Sequence, residues 1–145
     1  MGQREEIEAK LHQLRNETSA DFVALALPDG KNRLLWKYGS GNRYDRYKRI
    51  VTRTGKGFVG KAIMSRCPVI YHAFAPRSGD DPSNYPILLA ENLTSAVIVP
   101  FGPAGQGVGV LLAGCREDRQ LTSEAILRII AEAGELANPS YRLFM

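Results

Sequence analysis

The sequence predicts an α+β domain in which five or six antiparallel strands form one sheet and the N- and C-terminal helices pack together on one face. Two pairs of apolar segments separated by turn residues are typical of β-hairpins, and each end of the chain has the periodicity of an amphipathic helix. A length of 145 residues with 44% hydrophobic content supports one core, so a single domain over residues 1–145 is expected.

The N-terminal third predicts a helix followed by a hairpin. The helix is expected from Glu5 to Ser19, because apolar or small residues recur every three or four positions: Ile7, Leu11, Leu14 and Thr18. Phe22–Leu27 is an apolar strand, Pro28–Lys31 has the composition of a turn, and Arg33–Tyr38 is the partner strand. The first two strands are therefore expected to be antiparallel.

The middle of the chain predicts shorter elements. Gly39–Asn42 should end the second strand, and a short strand is expected near Ile50. Phe58–Met64 has a helical rhythm that stops near Pro68, since the residue before proline disfavours helical geometry. Val69–Tyr71 can form a further strand.

The next segments predict a loop, a short helix and a second hairpin. Ala73–Ser83 is rich in Pro, Gly, Ser and Asp and is long enough to cover a site. Tyr85–Glu91 should be a short helix, because proline is well tolerated in a first helical turn. Ser95–Pro100 and Gly109–Gly114 are continuously apolar and should form a central hairpin.

The last element is expected to be a helix capped by Thr122 or Ser123. Its apolar stripe consists of Ile126, Ile129, Ile130, Ala133 and Ala137. This stripe either covers the sheet or, together with the first helix, forms a homodimer face.

Composition limits the classes of function. The sequence has no apolar run of the roughly 18 residues that a membrane span needs, and its charged N-terminus does not resemble a signal peptide, so a cytoplasmic protein without a membrane partner is expected. Lys31–Lys56 holds nine Lys or Arg residues and one acid, Asp45, which suits an acidic protein partner, a small anion or a solvated face. Because this segment lacks the known nucleic-acid-binding patterns, no nucleic-acid partner is expected.

The sequence contains no evident catalytic or metal-binding pattern. Cys67 and Cys115 are far apart in the sequence. Neither His12 nor His72 has a Cys, a His or a pair of carboxylates nearby at the spacing typical of metal ligands. No Ser-His-Asp arrangement is found, and no close pair of carboxylates lies in a plausible cleft element, so an enzyme is the less favoured interpretation.

The segment Gly55–Gly60 (GKGFVG) combines three glycines, one cation and the expected start of a helix. Backbone N–H groups at such a point can converge on a small anion, although the segment can also simply lead into a core helix. The segment matches the dinucleotide-binding fingerprint G-x-G-x-x-G. That fingerprint requires an apolar strand directly before it, whereas the residues before Gly55 are mostly polar. Trp36 offers an indole N–H donor, and Ile87 offers a backbone N–H donor. The alternative interpretation of Trp36 is a core tryptophan that only fills space. A planar, singly charged oxyanion such as nitrate would suit these donors.

The order of elements from Glu5 to Leu136 resembles the GAF domain, a small-molecule sensor fold. Four segments together resemble the stand-alone GAF nitrate receptors of bacterial nitrate respiration: Trp36–Asn42, Asp45–Lys48, Gly55–Gly60 and Tyr85–Ile87. The resemblance implies a closed pocket on the sheet face opposite the terminal helices, with nitrate as ligand and no cofactor. The implied nitrate contacts are Trp36, Phe58, Val59, Tyr85, Pro86 and Ile87. It also implies a sensor histidine kinase as partner.

Two other GAF functions remain as alternatives. Free methionine sulfoxide reductase is an enzyme that uses cysteines in and around this pocket, but its glycine-rich turn carries a cysteine where this chain has Val59. A GAF sensor of another small molecule, such as a cyclic nucleotide or a tetrapyrrole, is the second alternative.

Overall fold

The computed structural model describes residues 2–31, 33–42, 46–53, 62–72, 86–102, 108–117 and 119–137. Residues 62–65 are helical. The other elements, in chain order, are α1 (Gln3–Thr18), β1 (Phe22–Pro28), β2 (Arg33–Ser40), a 3₁₀ helix (Arg46–Arg49), β3 (Val51–Arg53), β4 (Val69–His72), α2 (Pro86–Ala90), β5 (Ser95–Phe101), β6 (Gly109–Cys115) and α3 (Ser123–Leu136).

The strands form a six-stranded sheet in the order β3-β2-β1-β6-β5-β4. Every neighbouring pair is antiparallel, which confirms both predicted hairpins and the α+β fold class. Because β1 pairs with β6, the two hairpins lie side by side and β1 and β6 become the central strands. These strands read as continuous apolar runs because both faces of the sheet are covered.

Side chains of β1 alternate between two separate cores. Val23, Leu25 and Leu27 face the terminal helices, in a core whose other members include Ile7, Leu11, Leu14, Leu111, Ile129, Ala133 and Leu136. Phe22, Ala24 and Ala26 face the opposite side, where a second core forms. Helices α1 and α3 contact each other and the sheet, so the prediction that the terminal helices share one face is confirmed.

The predicted break at Gly39–Asn42 begins two residues too early, because β2 continues through Gly39 and Ser40. Gly39 pairs with Ala24 of β1, and a Cβ atom at position 39 would lie 2.9 Å from the ring of Tyr47. Glycine is therefore needed here for the close approach of an aromatic ring and not for a turn. The 3₁₀ helix that carries Tyr47 was not predicted.

The terminal helices agree with their predicted stripes. In α3 the side chain of Thr122 accepts a hydrogen bond from the Ala125 N–H at 3.0 Å, which identifies Thr122 as the cap. Two of the five stripe residues, Ile129 and Ala133, are fully buried, and the other three are partly buried: Ile126, Ile130 and Ala137.

Helix α3 also buries a carboxyl group at its contact with α1. Glu132 is only 3% exposed. The guanidinium of Arg128 lies 3.8 Å from the Glu132 carboxylate and also pairs with Glu17 of α1. Burial raises the pKa of Glu132 to about 7, and a hydrogen bond from the protonated group to Glu135 adds to this shift, whereas the charges of Lys10 and Arg128 oppose it.

We expect Glu132→Gln to stabilise the protein at alkaline pH. A carboxyl whose folded pKa is raised stabilises the fold most below its usual pKa near 4.5, and this stability is lost as the pH rises towards 7. The same hydrogen bond lowers the pKa of Glu135, but the stability gained from that shift is nearly complete at pH 5 and changes little between pH 5 and pH 8. The stability advantage of the variant should therefore grow by about 1–2 kcal/mol between pH 5 and pH 8. Urea unfolding of both proteins at pH 5 and pH 8 measures this difference in the free energy of unfolding. A difference that does not depend on pH would contradict the raised pKa of Glu132.

Candidate functional site

Trp36 lies on the sheet face opposite the terminal helices and is only 1% exposed. Its indole N–H donates a hydrogen bond to the hydroxyl of Thr52 at 3.2 Å. Thr52 of β3 pairs with Leu34 of β2, two residues before Trp36, so the three side chains share one face and Thr52 is a diagonal neighbour of Trp36. The donor predicted for an anion is thus bonded to a neighbouring strand in this structure.

The core around Trp36 brings together segments that are distant in the sequence. Ile87 and Leu88 of α2, Ala62 and Tyr71 are all buried in it, at no more than 4% exposure each. The remaining buried members are Phe22, Ala24, Ala26, Leu34, Tyr47, Leu93, Ala96, Ile98, Val110 and Leu112. Trp36 and Ile87, two of the predicted site residues, therefore belong to one buried cluster.

The other predicted site residues are only partly described. Pro86 is the first residue of α2, as the sequence predicted for the short helix. Phe58, Val59 and Tyr85 lie outside the described residues. Thr52, shortly before the glycine-rich segment, and Ala62, shortly after it, both lie beside this cluster.

The described members of this cluster are all apolar or aromatic. An anion beside these residues would meet N–H donors such as the Trp36 indole, and each further negative charge would be costly to remove from water there. Several described cations of the basic segment are exposed: Lys37, Arg46, Lys48 and Arg49. The ammonium of Lys48 lies 5.9 Å from the ring centre of the buried Tyr47. The site thus combines an apolar interior with a basic exterior.

A network of polar groups holds one end of the sheet. The Arg116 side chain pairs with Glu91 at 2.5 Å and donates to the Gly41 carbonyl at 3.2 Å, and its backbone N–H donates to the Asp21 carboxylate at 2.7 Å. Partial burial raises the pKa of Asp21, but hydrogen bonds from Arg116 and Arg119 outweigh it, and the net pKa is lowered. Neither this network nor the role of Thr52 is evident from the sequence, because both depend on contacts between distant segments.

The environment of Cys115 does not favour thiol chemistry. Cys115 is fully buried, and burial raises the pKa of its thiol, so little reactive thiolate forms at neutral pH. Cys67 is exposed. In the described part of the chain, no group of three or more His, Cys, Asp or Glu side chains is arranged to hold a metal ion.

A cleft of about 360 Å³ lies between β4, β5 and the start of α3, on the sheet face of the terminal helices. It is lined by Ile70, His72, Val97, Leu121 and Ile126, among others, and by none of the predicted site residues.

Across the described ranges, no helix has the length and apolar character needed to cross a membrane.

Comparison with known proteins gave matches among solved structures. A scan of protein-family models found no match, and a search of curated proteins found none. A structure of the Staphylococcus aureus NreA protein, mutated in its nitrate binding site, is 31% identical with a TM-score of 0.73, and the match covers 82% of this chain and 89% of that chain.

Two further structures match at lower identity and support the fold alone. The GAF domain of a phosphoenolpyruvate-protein phosphotransferase from Coxiella burnetii is 17% identical (TM-score 0.76; 94% of this chain and 80% of that chain). A type II free methionine-R-sulfoxide reductase from Thermoplasma acidophilum is 16% identical (TM-score 0.73; 99% and 95%). The 31% identity to NreA over most of both chains confirms the family resemblance noted in the sequence: this chain belongs to the GAF domain family and is of the NreA type.

Proposed function

We propose that this protein binds nitrate, or a similarly small and singly charged oxyanion, between Trp36 and the start of α2, and thereby modulates a sensor histidine kinase. The observation that carries the proposal is the similarity to NreA, a protein with a nitrate binding site, over most of both chains. The backbone amides of Phe58, Val59 and Ile87, together with contacts from Tyr85 and Pro86, would complete the site around the tryptophan.

The chemistry of the described cluster agrees with such a ligand. Nitrate has one delocalised charge and no proton, so it can leave water for a partly apolar site more cheaply than phosphate or sulfate can. A doubly charged anion would require cationic side chains in the site. The exposed cations of β2 and the 3₁₀ helix, such as Lys37 and Arg49, would attract the anion from solution.

The proposed partner is a cytoplasmic kinase domain with an acidic surface, which the exposed basic segment would complement. Ligand binding can alter such a surface only if it favours one conformation of the receptor over another. Homodimer formation through α1 and α3 is also part of the proposal, and the exposed Leu127 on α3 is available for it. We propose that the protein itself is not an enzyme.

Calorimetric titration of anion-depleted protein with nitrate tests the proposal. We expect saturable binding at one site, and no binding of sulfate. Trp36→Phe keeps an aromatic ring but removes the indole N–H, and it should weaken nitrate binding by about tenfold if that donor reaches the anion, as for the loss of one hydrogen bond to a charged group. No heat with the unaltered protein would exclude nitrate as the ligand.

Thr52→Val is the matched control, because it removes the present acceptor of the indole hydrogen bond and leaves the donor in place. An indole N–H released from Thr52 is costly to leave unpaired in a buried site, so an anion that accepts from it should bind more tightly than before, by about threefold to tenfold. Unchanged affinity in both variants would show that Trp36 is a wall of the site and not a donor.

A further inference from the structure

Arg116, directly after β6, connects two parts of the structure that meet at the proposed site. Its guanidinium donates to the backbone carbonyl of Glu91 at 2.7 Å and to the Glu91 carboxylate at 2.5 Å, at the end of α2. The same Nη2 group donates to the carbonyl of Gly41 at 3.2 Å, one residue beyond β2, the strand that carries Trp36. One side chain thus bonds the segments that carry Ile87 and Trp36.

Helix α2 needs such support, because five residues are too few to form a stable helix alone. Its inner side is held by the burial of Ile87 and Leu88 in the cluster of Trp36. Its end is held at Glu91, which is completely buried and whose N–H donates to the Ile87 carbonyl at 3.2 Å. Apolar contacts tolerate small shifts, whereas a forked set of hydrogen bonds fixes position and direction.

The pairing of Arg116 with Glu91 is also electrostatically constrained. The side chain of Arg116 is 12% exposed and that of Glu91 is fully buried, so neither charge can readily exchange its partner for water. The guanidinium donates to two oxygens of Glu91 and to a third segment at once, and a lysine ammonium has neither the reach nor the planar geometry to reproduce this.

We propose that Arg116 is a positioning residue, which fixes α2 relative to the Trp36 strand and thereby sets the affinity of the ligand site. The effect on ligand affinity depends on the proposed function, whereas the positioning of α2 does not. Arg116 itself does not contact the ligand in this proposal, because it acts through Glu91 and Gly41.

Arg116→Gln tests the proposal, with Arg119→Gln as the matched control. Arg119 lies at the same end of the sheet and pairs with Asp21 at 2.8 Å and with the Ser19 carbonyl at 2.9 Å, and neither of these partners belongs to α2. Asp21 also accepts from the backbone N–H of Arg116, and both variants retain this hydrogen bond. Amide hydrogen exchange of residues 88–91 is the first readout, and nitrate affinity well below the unfolding midpoint is the second. Arg116→Gln should raise the exchange rate of residues 88–91 by at least about tenfold and the dissociation constant of nitrate by at least about tenfold. Arg119→Gln should change each of these two quantities by less than about twofold.

The outcomes separate positioning from general stability. Arg116→Lys, which keeps the charge but not the fork, should resemble Arg116→Gln. If Arg116→Gln does not fold, Glu91→Gln replaces it with the same two readouts. Equal effects of the Arg116 and Arg119 variants, or unaltered exchange at residues 88–91, would overturn the proposal. If the unaltered protein binds no nitrate, the proposed function and the affinity part fail, and the exchange measurement alone still decides whether Arg116 positions α2.

Discussion

Replacing Trp36 with alanine should lower the free energy of unfolding by about 3–5 kcal/mol, as for other large-to-small substitutions in packed cores. Trp36 is among the largest fully buried side chains and contributes to the core between β2, β3 and α2. Its removal deletes apolar contacts and leaves a cavity that the sheet cannot easily close. Urea unfolding followed by circular dichroism measures the loss, with an unchanged denaturant slope as the check that the folded state is retained.

The result matters for any test of ligand binding. Loss of nitrate binding in Trp36→Ala would not distinguish a missing hydrogen bond from a displaced β2, whereas Trp36→Phe retains most of the buried ring and should lose much less stability. If Trp36→Ala costs less than about 1 kcal/mol, the tryptophan is not packed as described, and a solvated pocket beside it becomes the better explanation.

Replacing Gly41 with alanine should destabilise the protein by about 3 kcal/mol or more, because it combines backbone strain with a steric clash. Gly41 has a φ of +85°, and a Cβ atom there would lie only 2.1 Å from the carbonyl oxygen of Asp21 and 2.8 Å from Cδ of Arg15. Asp21 cannot easily move away, since its N–H donates to the Gly114 carbonyl at 2.9 Å and its carboxylate accepts from Arg116. The substitution would therefore also disturb the Arg116 network.

Gly30 provides a matched control for this effect. Its φ of +82° is nearly the same, but, apart from its two chain neighbours, no described residue has an atom within 4 Å of the position that a Cβ would take. Gly30→Ala should therefore cost only the conformational strain, about 1–2 kcal/mol. The difference between the two variants in thermal or urea unfolding isolates the clash at Gly41. Equal destabilisation would mean that the end of β2 can shift, in which case Arg116 would not hold that segment rigidly.

In the proposed receptor, the ligand would contact β2, at Trp36, and helix α2, and different contacts hold these two elements in place. Trp36 is fixed by its core and by Thr52, and α2 is fixed by Ile87, Leu88 and the Arg116 pair. A ligand that contacts both would gain affinity when they are already in place, since less conformational freedom is lost on binding. The Thr52→Val and Arg116→Gln measurements examine these two supports independently.

The sequence by itself determined those features that depend on residues close together in the chain. The spacing of Ile7, Leu11 and Leu14 predicted α1, two apolar pairs predicted both hairpins, and Thr122 was one of two predicted caps. These predictions succeed because helical periodicity, apolar runs between turn residues and capping are local properties. For the candidate site, four short segments identified the family, and Trp36 and Ile87 were named among the site residues before their common cluster was known.

Only the tertiary structure decided which groups meet. The register of β3 against β2 places Thr52 beside Trp36, the ring of Tyr47 requires the glycine at position 39, and the sheet order brings Arg116 to Glu91 and Gly41. A one-residue change of register would move Thr52 to the other face without altering the apolar pattern of so short a strand. Partners of this kind depend on packing between segments tens of residues apart, and no local pattern in the chain specifies them.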